Sequence, residues 1–598
     1  MKYLATIYVF FTLVSANCQN IYPMLTNVPN RSSMSLDGKW RYIVDPMENG
    51  YYNYRYKLHT NGYFSNQQAQ SPSDLIEYNF ENAKQLNVPG DWNTQSEGLF
   101  FYEGTVWYKK SFFYSKSDNR TFLYFGAVNY DAKVYLNGKK LGEHQGGFSP
   151  FNFEVTDDLK EGENFVILKV DNTRRKVQIP TVNSDWYNFG GITRSVKLVE
   201  VPKTFVRDYF IQLKKGSQNE IEGWVQLDGE NVRQEVSIEI QETKVSVKVT
   251  PNEQGVARFS FKAKLDLWSD KNPKRYVVKI SSGEDEIVDQ IGFRSIEVIG
   301  ENILLNGKSI FLKGICAHEV APFTSGRVIA PEQCRTLLNW AKELGCNFVR
   351  LAHYPHNEDM VRMAEEMGIM LWSEIPVYWT IDWENPAVFK NAEEQLIDMI
   401  KRDKNRGAII MWSVANETPI SEPRTDFLRR LTVTARAQDN TRLLTGALEA
   451  HTENDIKVLN DPLGQYLDVI GVNNYCGWYG GTPQSCAGQQ WRMDYDKPLV
   501  ISEFGGGALQ GMQGEPEVRW TEEYQEAVYE NNIEMLKGIP FLRGSAPWIL
   551  MDFYSARRPL TDIQDFYNRK GLISDQGIKK KAFFTLQKHY SEPAVQLD

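Results

Sequence analysis

The sequence predicts a multidomain protein built from three successive folds: an N-terminal jelly-roll β-sandwich, an immunoglobulin-like β-sandwich and a C-terminal (β/α)8 TIM barrel. Two observations carry this expectation. Up to about residue 298, apolar residues alternate with polar ones in short runs bounded by turn signals. From about residue 299 the period changes, and apolar strand-like runs alternate with amphipathic helical stretches. At 598 residues the chain is long enough to bury several cores.

Residues 1–19 read as a secretory signal: one Lys, an apolar stretch too short for a comfortable membrane span, then small residues. Cleavage after Ala16 is one outcome; lipidation at Cys18 is the other. The expected location is therefore exported: periplasmic, extracellular or membrane-anchored as a lipoprotein. No other stretch is apolar enough to span a bilayer.

Residues 20–201 supply the jelly roll. "TVWYKKSFFY", "RTFLYFGAV", "DAKVYLNGKKL" and "NFVILKVDN" alternate, with turn signals at Asn137-Gly138 and Glu161-Gly162. Residues 202–298 continue in "EIEGWVQL", "EVSIEIQE", "VSVKVT", "ARFSFKAKL" and "RYVVKISS", the length and strand count of an immunoglobulin-like sandwich. Residues 299–598 carry the barrel. Its eight runs are "SIFLKGICAH", "CNFVRLAH", "IMLWSEI", "AIIMWSVANE", "RLLTGALEA", "LDVIGVNNY", "PLVISEF" and "GSAPWIL". "PEQCRTLLNWAKELG", "NEDMVRMAEEMG" and "FKNAEEQLIDMIKRD" lie between them as helices.

Composition narrows the partners. A net charge of −9 without a long basic run argues against nucleic acid. Aromatics make up 13% of the chain, which suits either stacking on sugars or filling sandwich cores. The five cysteines beyond Cys18 are few, odd in number and without metal-ligand spacing, so buried thiols are expected rather than a disulfide framework.

In a TIM barrel the chemistry sits at the C-terminal ends of the strands. There the sequence places His318, His353, Glu374, Asn416, Glu417, Glu449, Asn474, Tyr475, Glu503 and Trp548. Hydrolysis of a glycosidic bond needs two carboxyl groups, one protonated to assist the leaving oxygen and one ionised to attack or to activate water. Glu417 and Glu503 follow the fourth and seventh runs, on opposite sides of an eight-stranded barrel.

"WSVANE" and "ISEFGG" resemble the acid/base and nucleophile motifs of glycoside hydrolase family 2, a family of retaining barrel glycosidases. "LDGKWRY", "VPGDW", "GTVWYKKSF" and "NFGGITRSV" resemble its sugar-binding domain, and "FLKGICAHE" and "RLAHYPHNEDM" its barrel. The resemblance implies that Glu417 is the general acid/base, Glu503 the nucleophile and Asn416 the residue that holds the substrate 2-hydroxyl. It implies that Tyr475 hydrogen-bonds the nucleophile, that Trp548 floors the sugar site, and that His318 and His353 contact sugar. Arg350 is expected to orient the nucleophile, and Glu374 and Glu449 to be structural. Asp185, in "SDWYNFGG", is expected to reach the barrel mouth from the first domain and meet sugar hydroxyls. The resemblance also implies a homo-oligomer. No metal or organic cofactor is expected.

"NRKG" follows the eighth run, at the rim of the same pocket. Neutral hexoses have no group that needs a cation there, whereas a hexuronic acid carries a carboxylate at C5. Asn568 and Lys570 resemble the Asn-x-Lys motif of the β-glucuronidases in this family, and Tyr479, in "YCGWY", is a second residue expected near that carboxylate. The segment after Glu374, "IPVYWTIDWENPAV", is short. It suggests an open leaving-group side where Tyr378, Trp379 and Trp383 could stack on a further sugar, so oligosaccharide glucuronides join the expected substrates. The competing readings are a β-galactosidase or β-galacturonidase on the same scaffold, and a non-catalytic glycan-binding protein.

Overall fold

The computed structural model describes residues 24–592 except 66–69, 72 and 75. The expected signal segment and Cys18 lie outside the described residues. No helix among the described residues is long and apolar enough to cross a membrane.

Two antiparallel sheets face each other in the N-terminal sandwich. One runs in the order Ser33–Ser35, Val196–Val201, Arg120–Phe125, Phe151–Glu154. The other has six strands, from Gln85–Val88 at one edge to Lys139–Gln145 at the other. Their inward-facing residues, among them Trp40, Tyr108, Leu123, Phe125, Val134 and Leu168, form one core. The Asn137-Gly138 signal is realised as a hairpin: φ is 51° and 88° there, the left-handed pair that matches strand twist. The next domain packs three strands, Phe205–Leu213, Glu220–Asp228 and Val256–Lys262, on four others lying between Val236 and Ile291. Val206, Ile211, Val225, Ile238 and Ile280 are buried between them.

The C-terminal region is a closed barrel of eight parallel strands. They are β1 (Leu312–Ala317), β2 (Phe348–Leu351), β3 (Met370–Glu374), β4 (Ile409–Asn416), β5 (Leu443–Leu448), β6 (Ile470–Asn473), β7 (Leu499–Glu503) and β8 (Leu542–Ser545). The three expected helices are α1 (Pro331–Glu343), α2 (Glu358–Met367) and α3 (Pro386–Asp403). Local chemistry sets their ends. Asn357 and Asn385 cap α2 and α3 through their side chains, and Gly368 stops α2 at φ 72°.

Three details differ from expectation. "SIFLKGICAH" is split: Lys308–Ile310 pairs in a small antiparallel meander and only Leu312 onward enters the barrel. β8 ends at Ser545, because beyond it Ala546-Pro547 cannot continue the ladder as a donor at Pro547. The chain still runs between its neighbours, with Trp548 N donating to Phe504 O at 2.8 Å and Leu550 N to Cys316 O at 2.9 Å. Cys476 and Cys486 form a disulfide, since a short helix, Pro483–Cys486, turns the chain back and brings their Cα atoms to 5.7 Å. Cys316, Cys334 and Cys346 are buried thiols as expected.

Buried charge joins the domains to the barrel. Arg194 of the first domain meets Glu319, just beyond β1, at 2.8 Å. Arg406, before β4, pairs with Asp289 of the second domain and with Glu365 of α2, the latter at 3.2 Å. All three are buried, so removing the cation leaves Glu365 without an ion-pair partner among the described residues and Asp289 with Arg362 alone, at 3.2 Å. Arg406→Ala should destabilise the fold by about 3–5 kcal/mol, seen as a clear fall in the thermal unfolding midpoint; an unchanged midpoint would contradict the role given to this cluster.

Candidate active site

One guanidinium organises the bottom of the barrel mouth. Arg350 on β2 is fully buried. Its Nη1 donates to Glu503 Oε1 at 2.7 Å, and its Nη2 to Glu374 Oε1 at 3.0 Å and Asn416 Oδ1 at 2.7 Å. The ends of β3, β4 and β7 are thus held by one planar fork. Burial lowers the pKa of this guanidinium, but Glu374 and Glu503 outweigh it and raise it above the usual value. Burial would likewise raise the Glu374 carboxyl, yet Arg350 and His353 hold it at about 2. Trp372 Nε1 adds a hydrogen bond to Glu374 at 2.8 Å. Glu374, expected to be structural, is a permanent anion that supports Arg350 and His353.

Glu503 is held differently. Arg350 takes Oε1, and the Tyr475 hydroxyl donates to Oε2 at 2.5 Å. Burial raises its carboxyl above the usual range; Glu417 pushes the same way, while Arg350, His353 and Tyr475 pull down. Glu417 follows β4 with φ 48°, its N–H donating to Ala447 O at 3.0 Å. Such a left-handed conformation is unfavourable for a non-glycine residue and turns the side chain from the barrel wall into the mouth. Trp379 Nε1 donates to Glu417 Oε2 at 2.8 Å. Oε1 accepts no hydrogen bond from the described residues.

Two buried polar atoms here have no partner among the described residues: Asn416 Nδ2 and His318 Nε2. A buried donor or ring nitrogen without a partner is costly, and a sugar hydroxyl would satisfy each. His318 Nδ1 lies 3.0 Å from the Tyr354 hydroxyl, and burial keeps its imidazole neutral by lowering its pKa. His353 Nδ1 is 2.9 Å from Glu374, and its ring stacks on Trp548 at 4.8 Å. Trp548 is buried beneath these rings.

A second cluster lies where the first domain meets the barrel. The Asp185 loop does reach the mouth. Asp185 accepts from Ser555 Oγ at 2.6 Å, from Arg558, and from Asn568 Nδ2 at 3.3 Å. Lys570 is 3% exposed and has no carboxylate at ion-pair distance among the described residues. Its Nζ donates to the Tyr479 hydroxyl at 2.8 Å and lies near the rings of Tyr475, Trp478 and Tyr479. Burial lowers the Lys570 pKa, and Arg558 adds to this. Tyr479 is 61% exposed, yet its hydroxyl sits between Lys570 and Arg558; they outweigh burial and lower its pKa. Arg569 turns the other way, to Asp575 at 2.9 Å and Asp552 at 3.4 Å.

The mouth therefore gathers Asp185, His318, His353, Asn416, Glu417, Tyr475, Tyr479, Glu503, Trp548, Asn568 and Lys570 around one space. Arg558 belongs with them and went unrecognised in the sequence. Its only signal was a cation in "ARRPL", shortly after the eighth run. Glu449 lies half-buried, its carboxyl raised by burial and then by Glu417. The aromatic platform expected after Glu374 is smaller than its sequence suggests. Tyr378 is buried against Trp186, and Trp383 packs edge-on against Phe427 at 5.2 Å. Trp379 remains half-exposed.

Residues 296–595 match the family model described as "Glycosyl hydrolases family 2, TIM barrel domain", and residues 34–202 match "Glycosyl hydrolases family 2, sugar binding domain". The chain is similar to the β-glucuronidase of Paenibacillus borealis, at 26% identity over 94% of this chain and 97% of that one. It is similar in structure to a β-glucuronidase from an uncultured Clostridium sp., with a TM-score of 0.80, 25% identity and coverage of 96% and 99%. A family 2 β-galacturonidase from Eisenbergiella tayi, bound to galacturonate, shares the fold at a TM-score of 0.78 and 22% identity, covering 94% and 97%.

The Tyr475 hydrogen bond favours the ionised form of Glu503, so its loss should raise that carboxyl further. If Glu503 must be ionised to act, as family resemblance implies, activity rises above its pKa. Tyr475→Phe should therefore move the acid limb of the kcat/KM profile to higher pH, by ~1 unit for a charge-assisted bond. A limb that stays in place or moves down would contradict this arrangement.

Proposed function

We propose that this chain, which belongs to glycosyl hydrolase family 2 and is a glycoside hydrolase, acts as a retaining exo-β-glucuronidase on terminal β-D-glucuronides. The observation that carries the substrate class is Lys570: a buried ammonium in an aromatic cage, with a phenol but no carboxylate for a partner among the described residues. Such a site is incomplete until an anion enters. The C5 carboxylate of a glucuronate would accept from Lys570 and Asn568, with Arg558 and Tyr479 at its edge.

In this reading the sugar lies on Trp548, its hydroxyls meeting Asp185, His318, His353 and Asn416. Glu503 attacks the anomeric carbon as the carboxylate, while Glu417 gives its proton to the leaving oxygen through the unencumbered Oε1. The departing group leaves a covalent glycosyl-enzyme, and Glu417 then takes a proton from the water that hydrolyses it. Retention requires the two carboxyl groups roughly 5–5.5 Å apart. Trp379 fixes Oε2 of Glu417, and Arg350 with Tyr475 fixes Glu503, so neither group has to be oriented after substrate binds.

We propose further that the protein is exported. The apolar segment at residues 1–19 and the Cys476–Cys486 disulfide both suit an oxidising compartment. Lipidation at Cys18 would anchor it there. A homo-oligomer remains a proposal from family resemblance, which light scattering tests.

The discriminating experiment compares a glucuronide, a glucoside, a galacturonide and a galactoside with a common aryl leaving group. Wild type should prefer the glucuronide. Lys570→Ala should lose roughly ten- to hundredfold in kcat/KM on it, while the glucoside, which presents no carboxylate, should lose far less. An unchanged ratio of the two would remove Lys570 from substrate recognition, and preference for the galacturonide or galactoside would reassign the enzyme.

A further inference from the structure

Arg557 and Arg558 are consecutive but diverge. Arg558 turns inward to Asp185 and Tyr479. Arg557 is exposed and turns outward. Its guanidinium lies 4.5 Å from the centre of the Trp379 ring, and its Nη1 donates to Asn183 Oδ1 on the first domain's loop. It forms no ion pair among the described residues. Nevertheless its charge acts on Tyr378 together with those of Asp185, Glu417 and Glu503, which places it at the same mouth.

Trp379 connects this cation to the chemistry. Its indole N–H holds Glu417 Oε2 at 2.8 Å, and one of its faces carries Arg557. A leaving group protonated by Glu417 Oε1 departs beside that indole. The first unit of the aglycone therefore passes close to an uncompensated guanidinium held between two domains. Stacking and the Asn183 contact restrict a side chain that would otherwise be flexible, so less is lost when it meets an anion. The cation is separate from the glycone's own carboxylate partners, which lie across the sugar at Lys570 and Asn568.

We propose that Arg557 forms an anion-recognising subsite for the aglycone, and that the preferred substrates are acidic glycans in which the residue bearing the terminal glucuronate itself carries a carboxylate or sulfate. This rests on the glucuronidase reading and goes beyond it, by naming the chemistry of the leaving group. Neutral aglycones would use Trp379 alone. A planar, five-donor guanidinium suits both carboxylate and sulfate, so the two anions are separated by experiment.

The test uses the full chain and three disaccharides in which glucuronate is β-linked to the same position of a hexose, of that hexose bearing a sulfate, and of the matching hexuronate. An aryl glucuronide is the control. Wild type should favour at least one acidic disaccharide over the neutral one by roughly three- to fivefold in kcat/KM, the upper scale of a single exposed charge contact. That advantage should shrink with added salt. Arg557→Gln should abolish it and leave the aryl glucuronide and neutral disaccharide within about twofold of wild type; Arg557→Lys should keep part of it. Which acidic arm is favoured identifies the anion. If wild type shows no preference, or Arg557→Gln lowers neutral and acidic substrates alike, the inference fails and Arg557 is a clamp between the two domains. If no substrate, the aryl glucuronide included, is hydrolysed, the glucuronidase reading itself fails.

Discussion

The Arg350 guanidinium is the constraint on which the site depends. Two carboxylates, Glu374 and Glu503, lie in the buried end of a closed barrel, where each alone would tend to take up a proton. One cation between them changes that. Its fork also reaches Asn416, so the ends of β3, β4 and β7 share one anchor. The two anions then differ. Glu374 is deeply ionised and acts as ballast for Arg350 and His353. At Glu503 burial, with the like charge of Glu417 on the same side, outweighs the pull of Arg350, His353 and Tyr475 and leaves the carboxyl raised. Burial thus works against the anion at Glu503, and Arg350 and Tyr475 are the groups that favour it.

The upper part of the mouth solves a different problem. Lys570 is buried without a carboxylate, and Arg558 beside it disfavours its charge further. Tyr479 and the aromatic rings offset only part of this cost. In the proposed reading a uronate completes the balance. Asp185 does not fill that role: it is not at ion-pair distance from Lys570, and it accepts from Arg558, Ser555 and Asn568 instead. Asp185 belongs to the first domain, so it joins this cluster only through the contact between the sandwich and the barrel.

Much of this was legible in sequence, for identifiable reasons. Period-two alternation and the Asn137-Gly138 turn are local, and the structure realises both. The eight apolar runs fall on the eight barrel strands, because a strand buried on both faces is apolar throughout. Glu417, Glu503, Asn568 and Lys570 stood out by resemblance and by their place after strands. What escaped was tertiary. Arg558 carries no period or motif, and only the fold brings it to Asp185. The disulfide depended on a four-residue helix that returns Cys486 to Cys476. Trp383 is half-exposed, and the edge-on contact with Phe427 is not visible in its own segment.

The central claim is that the Arg350-bound carboxylate of Glu503 is the group that attacks the sugar, and a trapping experiment addresses it most directly. A 2-fluoro glucuronide with a good leaving group should inactivate the enzyme with release of one leaving group per site. Peptide mapping by mass spectrometry should then place the fluoro-sugar on Glu503. A label on Glu417, Glu374 or any other residue, or hydrolysis with inverted anomeric configuration and no trapped adduct, would contradict the account.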